Sequence, residues 1–326
     1  MGGMRASRVK LAILDDYQRQ ALKMADWSVL KGVEVKVFDA PFASVEDAGR
    51  QLAPFDILCL MRERMAFPRQ LVEKLPNLKF VSLTGRRAGS LDAKALAERG
   101  IPISHTGAGN GTASTVELAW GLILAAARNL AKAERNMRSG KWHDDLPAGI
   151  SLGGKRLGLL GAGGIGAKVG AVGKAFGMEV VAWSQNLTEE KAAAAGVRYL
   201  PKDELLSSAD VITIHMVLSD RTRNLLGRKE LEKIKPGGIL VNTSRGPIVD
   251  EAALLEWLRG GKGHAALDVY DREPLPADHP LRKLPNVTLS PHLGYVNEEN
   301  YRTFYRDTVE NVAAWLAGKP IRILHP

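Results

Sequence analysis

Residues 157–166 read Leu157-Gly158-Leu159-Leu160-Gly161-Ala162-Gly163-Gly164-Ile165-Gly166, and this is the strongest local motif in the chain. The apolar residues at its start predict a strand, and residues 167–176 predict a helix. Gly161 permits a tight turn, and Gly163 lets the backbone approach a pyrophosphate. Gly166 lets the helix pack close to the strand, and the helix N-terminus attracts the anion. In a chain with 33 glycines the motif alone is weak, but its strand–helix context favours dinucleotide binding over a merely structural turn.

Strand-like runs alternate with helical patterns on both sides of this motif, which predicts parallel sheets with crossover helices. A first α/β unit has predicted strands near residues 9–14, 56–61, 79–83 and 101–104. A second runs from Arg156 to about Pro291, with predicted strands near residues 157–160, 178–183, 210–214, 238–242, 264–269 and 287–290. Between them, Ser114-Thr115-Val116-Glu117 predicts a capped helix start, and the helix that follows is apolar nearly all round. The last predicted helix, near residues 297–316, is amphipathic.

The composition of the 326 residues excludes several classes of protein. The single cysteine, Cys59, cannot form a disulfide within the chain, and we expect it to be a buried strand residue rather than a metal ligand. No metal site is predicted. The net charge is +9, but the basic residues are scattered among acids, so we expect an anionic small molecule and no nucleic acid as partner. The longest apolar run, 118–127, is about half a membrane span, and the start does not resemble a signal peptide. We therefore expect a cytoplasmic protein without a membrane partner.

Three polar segments follow predicted strands in the second unit. They read Val241-Asn242-Thr243-Ser244-Arg245-Gly246, Ala266-Leu267-Asp268-Val269-Tyr270-Asp271-Arg272-Glu273-Pro274 and Leu289-Ser290-Pro291-His292-Leu293-Gly294. In an open α/β sheet, ligands bind beyond the carboxyl ends of the strands, so these segments can converge on one crevice.

With the glycine turn, these segments resemble the D-isomer-specific 2-hydroxyacid dehydrogenase family. The family's Asn-x-x-Arg-Gly, Glu-Pro and Pro-His-x-Gly segments occur here in the same order, and the resemblance covers nearly the whole chain. It implies an α/β protein with two doubly wound parallel-sheet domains, in which a Rossmann cofactor domain is inserted in a flavodoxin-like substrate domain. The substrate domain is expected over 1–108 plus 297–326 and the cofactor domain over 109–296. The helix from Ser114 implies a homodimer.

The resemblance implies a catalytic set of Arg245, Glu273 and His292 in an NAD(P)-dependent dehydrogenase that interconverts a D-2-hydroxy acid and its 2-oxo acid. Histidine suits the proton transfer because its ordinary pKa lies near neutrality. A neighbouring carboxylate would favour the imidazolium, and the arginine fork suits a substrate carboxylate. Candidate substrates include glyoxylate, hydroxypyruvate and 3-phosphoglycerate. The alternatives are a dinucleotide-sensing, corepressor-like binding protein on the same fold and, within the family, a formate dehydrogenase.

The resemblance also implies a set of cofactor-binding residues, with NAD as the expected cofactor and NADP as a possible one. They are Gly161, Gly163, Gly164, Ile165, Gly166, Ser184, His215, Thr243, Arg245, Asp268, His292 and Gly294. Asp268 resembles the residue that contacts the nicotinamide side, and His215 is expected to have a positional role. After the second strand of the unit, Ser184-Gln185-Asn186 stand where an acid is expected. No carboxylate there repels a 2′-phosphate and no arginine there attracts one, so the choice between NAD and NADP stays open.

In the first unit, the loop from Thr84 to Asp92 resembles the family's substrate-carboxylate loop, which places Gly85 and Arg86 at the substrate. Arg87 stands where the family often has glycine, and Gly89 where it often has aspartate. Arg62 resembles a position that binds substrate phosphate in phosphoglycerate-type relatives. The equally weighted alternative is that Arg62 pairs with a nearby acid and covers the surface.

Overall fold

The computed structural model describes residues 8–86 and 89–325 and divides the chain into two compact units. Unit 1 comprises Met1–Asn110 and Asn297–Pro326, and unit 2 comprises Gly111–Val296. The chain therefore crosses from one unit to the other twice, once before Gly111 and once after Val296.

Unit 1 is built on a five-stranded parallel sheet of order β2-β1-β3-β4-β5. Its strands are β1 (Val9–Ile13), β2 (Val33–Val37), β3 (Ile57–Leu60), β4 (Phe80–Leu83) and β5 (Ile103–His105). Its helices are α1 (Ala21–Met24), α2 (Val45–Leu52), α3 (Arg69–Glu73), α4 (Ala93–Glu98) and the last helix of the chain, α12 (Glu298–Leu316), with a 3₁₀ turn at Trp27–Val29. This strand order is the flavodoxin-like one, as expected.

Unit 2 is built on a seven-stranded sheet of order β12-β11-β10-β9-β6-β7-β8, and every pairing is parallel. Its strands are β6 (Arg156–Leu160), β7 (Glu179–Trp183), β8 (Arg198–Tyr199), β9 (Val211–Ile214), β10 (Gly238–Asn242), β11 (Gly263–Leu267) and β12 (Val287–Leu289). Its helices are α5 (Gly111–Ala127), α6 (Leu130–Arg138), α7 (Gly164–Ala175), α8 (Glu189–Ala194), α9 (Lys202–Ser208), α10 (Arg228–Leu231) and α11 (Glu251–Arg259). Short 3₁₀ turns lie at Gly246–Ile248 and Pro280–Lys283. The order reverses between β6 and β9, which is the Rossmann arrangement. The predicted fold class is confirmed.

Three details of the fold differ from the sequence expectation. Strand β2 was not predicted, because its Val-Glu-Val-Lys-Val alternation belongs to a half-exposed edge strand and gives no continuous apolar run. Strand β8, at an edge of the other sheet, was not predicted either, because it is only two residues long. Helix α5 begins at Gly111, three residues before the expected cap. Ser114 lies inside its first turn and donates its hydroxyl to the Gly111 carbonyl oxygen at 3.2 Å. The N-cap of α12, by contrast, is Asn297, whose side chain accepts a hydrogen bond from the Asn300 amide.

The central strands of both sheets are buried, as parallel strands covered on two faces must be. All four residues of β3, of β4 and of β9 are inaccessible or nearly so, and Cys59 lies in β3 with 3% of its surface exposed. Helices pack on both faces of these strands. Polar side chains therefore lie mainly in the loops at the carboxyl ends of the strands. Over residues 8–86 and 89–325, no helix combines the length and the apolar character that crossing a membrane requires.

Candidate active site

The glycine turn lies at the carboxyl end of β6 in the conformation that its sequence requires. Gly161 has a φ of +101°, and a Cβ atom there would lie 2.5 Å from the carbonyl oxygen of His215. Only glycine fits such a position. Around Gly163 and Gly164, by contrast, a Cβ atom would meet nothing within 4 Å. The turn is therefore closed against β9 on one side and open at the N-terminus of α7.

These residues fit a bound dinucleotide. Because the space beside both glycines at the start of the twelve-residue helix α7 is open, a pyrophosphate has room at this helix N-terminus. A Cβ atom on Gly166 would overlap the Gly161 carbonyl, so glycine is needed for the close approach of helix and strand. Thr243, after β10, has a buried hydroxyl that makes no hydrogen bond within the described residues. A ligand group at this end of the sheet would supply the missing partner.

The loops after β11 and β12 bring the predicted acid–base pair together. Nδ1 of His292 lies 2.5 Å from Oε2 of Glu273, and the two side chains keep 21% and 26% of their surface exposed. The other carboxylate oxygen of Glu273 accepts a hydrogen bond from the Tyr270 amide at 2.9 Å. Since both oxygens are held, the carboxylate has a fixed direction toward the imidazole.

Asp268 holds the loop that carries His292. Its carboxylate accepts hydrogen bonds from the amides of Leu293 at 2.7 Å and Gly294 at 3.0 Å, and from the Ser290 hydroxyl. Its carbonyl oxygen accepts from the His292 amide at 2.9 Å. Burial raises the pKa of Asp268, while the Ser290 hydrogen bond lowers it. His292 itself has a φ of +54°, a conformation that these bonds stabilise.

Arg245 follows β10 in a turn stabilised by its neighbours. Asn242 donates its side-chain amide to the Arg245 carbonyl at 2.8 Å and accepts from the Ser244 amide at 3.0 Å. The Ser244 hydroxyl donates to the Ile214 carbonyl at 2.7 Å, which ties the turn to β9. The guanidinium of Arg245 donates to the Ser244 carbonyl at 2.7 Å. The hydrogen bonds of Asn242 and Ser244 therefore fix the backbone position of Arg245 at the end of β10.

Tyr270 contacts the loops of all three predicted catalytic residues, and its importance was not predicted from the sequence. Its amide holds Glu273, as described above. Its hydroxyl lies 2.8 Å from the carbonyl oxygen of Ser290 and 3.1 Å from that of Leu267, and donates to them. Its own carbonyl group packs so closely on Gly246 that a Cβ atom there would overlap it. Burial raises the pKa of the Tyr270 phenol. The signal in the sequence was a tyrosine two residues after Asp268 and three before Glu273.

His215 follows β9 and lies against the glycine turn. Its Nε2 is 3.0 Å from the Thr213 hydroxyl, and burial lowers the pKa of His215 to about 4. The imidazole is therefore neutral near pH 7 and suits the positional role expected for it. Over residues 8–86 and 89–325, no three His, Cys, Asp or Glu side chains are grouped so as to hold a metal ion.

The substrate candidates lie at the carboxyl ends of β3 and β4 in unit 1. Arg62 has a φ of +49°, and a Cβ atom on Gly85 would lie 2.6 Å from its Nη1, so the guanidinium lies against Gly85. The Gly85 amide already donates to the Thr106 hydroxyl at 2.8 Å. Arg86 is exposed, and Arg87 lies outside the described residues. The Glu63 carboxylate accepts from the Gly89 amide at 3.1 Å.

The Rossmann sheet, the open glycine turn and the coupled histidine–glutamate pair define a dinucleotide-binding oxidoreductase class of site. Residues 120–294 match the model described as D-isomer specific 2-hydroxyacid dehydrogenase, NAD binding domain. The chain belongs to the D-isomer specific 2-hydroxyacid dehydrogenase family. The resemblance predicted from its motifs is thereby confirmed.

Particular relatives agree with this assignment. The chain is 35% identical to a D-3-phosphoglycerate dehydrogenase of Archaeoglobus fulgidus over 96% of its own length but only 58% of the relative's. It is 38% identical to a glyoxylate reductase of Aeropyrum pernix over 76% of each chain. The crystal structure of a phosphoglycerate oxidoreductase from Vibrio cholerae O395 superposes with a TM-score of 0.89 at 34% identity, covering 95% of this chain and 99% of the other. The chain thus spans about three-fifths of the phosphoglycerate dehydrogenase.

Proposed function

We propose that this chain is an NAD(P)-dependent dehydrogenase that interconverts a D-2-hydroxy acid and its 2-oxo acid. The observation that carries the proposal is the 2.5 Å contact between His292 Nδ1 and Glu273 Oε2, at the carboxyl ends of strands beside a dinucleotide-binding turn. Within the family, such a histidine–glutamate pair suits a reaction in which the substrate hydroxyl loses a proton or the substrate carbonyl oxygen gains one. Bound nicotinamide supplies the hydride acceptor or donor.

His292 acts as the acid–base group. Glu273 engages Nδ1, so Nε2 is the ring nitrogen that exchanges a proton with the oxygen on carbon 2 of the substrate. In the reductive direction the imidazolium donates that proton as the carbonyl oxygen gains charge. The carboxylate stabilises the imidazolium and fixes the ring direction, while the Asp268 bonds keep the loop in place.

Arg245 binds the substrate's carboxylate and polarises its carbonyl. The planar guanidinium offers two parallel donors to a carboxylate. The turn that carries Arg245 is tied to β9 through Ser244, which keeps the fork beside the strand ends. In unit 1 we assign substrate binding to Arg62 and Arg86, whose charge suits a carboxylate or a second anionic group.

The rival function is a dinucleotide-sensing binding protein on the same fold. A sensor needs the glycine turn and the open helix N-terminus but has no use for a proton donor. The oriented Glu273–His292 pair therefore favours the enzyme. A formate dehydrogenase is disfavoured for the same reason, since formate has no hydroxyl proton to transfer.

We also assign a homodimer and a cytoplasmic location. Leu130, Met137 and Trp142 expose 51%, 56% and 67% of their surface within thirteen residues of α6 and the segment after it. Apolar side chains so clustered suit a covering partner, and a second copy of this chain is the partner we propose. The lone cysteine, without a disulfide, suits a reducing compartment.

The proposal is tested by following the absorbance of NADH and of NADPH with glyoxylate, hydroxypyruvate, pyruvate and a phosphorylated 2-oxo acid. We expect turnover of at least one acid, and a loss of about a hundredfold or more in kcat for His292→Gln, the usual scale of general acid–base catalysis. His264→Gln, which replaces a histidine near the start of β11, is the matched control. Dinucleotide binding with no turnover of any 2-oxo acid would favour the sensor.

A further inference from the structure

Two loops of unit 2 that are distant in sequence are tied together beside β7. The Gln185 side chain, just after β7, donates to the Arg221 carbonyl at 2.8 Å. The Arg221 guanidinium, in the loop after β9, donates to the Asn186 side-chain oxygen at 3.3 Å. No local pattern predicts this contact, because Arg221 lies thirty-five residues beyond Asn186. Residues 184–186 contain no arginine, but Arg221 from the loop after β9 lies beside them.

Arg221 differs in its ion pairing from Arg228, the first residue of α10. Arg221 is exposed and forms no ion pair within residues 8–86 and 89–325. Arg228, a few residues later, is paired with Glu256. Residues 184–188 carry no carboxylate, and the Lys191 ammonium lies 3.5 Å from the Asn186 carbonyl. The acids nearest in sequence are Glu189, Glu190 and Asp220, all exposed.

The location of Ser184, Asn186 and Arg221 beside β7 indicates which part of a bound dinucleotide they would contact. Strand β7 neighbours β6, which carries the glycine turn, and β9 flanks β6 on its other side. In a Rossmann sheet, the residue after the second strand binds the adenosine ribose: an acid there bonds the 2′-hydroxyl, and a nearby arginine accommodates a 2′-phosphate. Here Ser184 replaces the acid, and the loop after β9 supplies the arginine.

We propose that Arg221, with Ser184 and Asn186, forms a binding site for the 2′-phosphate of NADP(H), so that this chain binds NADPH at least as tightly as NADH. The guanidinium gives charge-assisted hydrogen bonds to phosphate oxygens, and an arginine without a carboxylate partner loses no ion pair in doing so. The hydroxyl of Ser184 and the amide of Asn186 add neutral donors. The inference rests on the proposed role of unit 2 as a dinucleotide-binding domain.

The test measures equilibrium binding rather than turnover. Dissociation constants of NADPH, NADH, adenosine 2′,5′-bisphosphate and AMP are determined for the parent, Arg221→Ala and Arg221→Glu. Arg228→Ala is the matched control, since it removes the same charge from an arginine that has a carboxylate partner. We expect Arg221→Ala to weaken NADPH and the bisphosphate at least tenfold, or about 1.4 kcal/mol, with NADH and AMP changed less than about twofold. Arg221→Glu should weaken the phosphorylated pair further, and added salt should shrink the difference between parent and variant.

Two results would overturn this site. One is parent protein that binds NADH much more tightly than NADPH, and the other is an Arg221→Ala variant in which all four ligands weaken alike. Failure of the parent to bind either dinucleotide is a different result, because it would refute the proposed function of unit 2 itself.

Discussion

Glu273 and His292 lie on loops that follow two neighbouring strands, β11 and β12, and their side chains meet at 2.5 Å. Glu273 fixes the direction of the imidazole ring and stabilises its charged form. Glu273→Gln should therefore lower kcat in the reductive direction by about tenfold or more, because the ring is less well placed to donate its proton. Steady-state kinetics with a 2-oxo acid measures this. Glu251→Gln, beside His279 at 3.2 Å, is the control, and an equal loss of kcat in both variants would contradict the pairing.

Arg245→Gln should reduce kcat/KM on every 2-oxo acid that the parent accepts. Loss of a charge-assisted contact costs about 1.5–3 kcal/mol, which corresponds to roughly tenfold to 150-fold. Both a higher KM and a lower kcat are expected, because in the proposed function the fork binds the carboxylate and polarises the carbonyl. Arg245→Lys keeps the charge without the planar fork and should recover only part of the loss. Unchanged kcat/KM in Arg245→Gln would refute the assignment.

Tyr270→Phe removes only the hydroxyl that donates to the Ser290 and Leu267 carbonyls. We expect kcat to fall several-fold with little change in KM, because Tyr270 acts as a positioning residue through the loop of His292. The free energy of unfolding should fall by about 1–3 kcal/mol, as for a buried acceptor that loses its donor. Tyr199→Phe, on β8 at the edge of the same sheet, is the comparison. A fall in stability with no change in kcat or in the pH profile would make Tyr270 purely structural.

Arg62→Ala separates a role in substrate binding from a structural one. The guanidinium lies against Gly85 at the carboxyl end of β4. If this guanidinium binds a second anionic group of the substrate, the parent should prefer a dianionic acid over glyoxylate by about 1.5–3 kcal/mol in kcat/KM. The variant should lose that preference, while its turnover of glyoxylate stays nearly unchanged. The two substrates are compared in parent, variant and Arg69→Ala, an exposed arginine of the same unit. Equal loss on both acids would show that Arg62 supports the fold.

Met137→Glu should convert the proposed dimer into a monomer. It places a charge on a side chain that exposes 56% of its surface in a single copy and would be buried between two copies. Molar mass from light scattering during size-exclusion chromatography measures the outcome. Leu22→Glu, equally exposed on unit 1, should leave the mass unchanged. A parent protein that is already monomeric at all concentrations tested would contradict the dimer.

Much of the fold was predictable because it follows from local patterns. Buried parallel strands are continuous apolar runs, so nearly all of them were found, and Gly161 and Gly166 marked the turn that only glycine can make. The two missed strands, β2 and β8, each lie at a sheet edge, where exposed or half-exposed residues give a weaker signal. The start of α5 was misplaced because Ser114 and Glu117 fit a capping pattern that the chain does not use.

The two α/β units, the glycine turn and the order of the arginine, glutamate and histidine segments were predictable from the sequence, since each depends on residues that are adjacent along the chain. Which side chains meet is known only from the folded structure. It placed Tyr270 against the loops of all three predicted catalytic residues, turned the Asp268 carboxylate toward the backbone of the His292 loop, and brought Arg221 to Asn186. Such contacts join loops at the ends of different strands, so they depend on strand order and loop path, which no local pattern encodes.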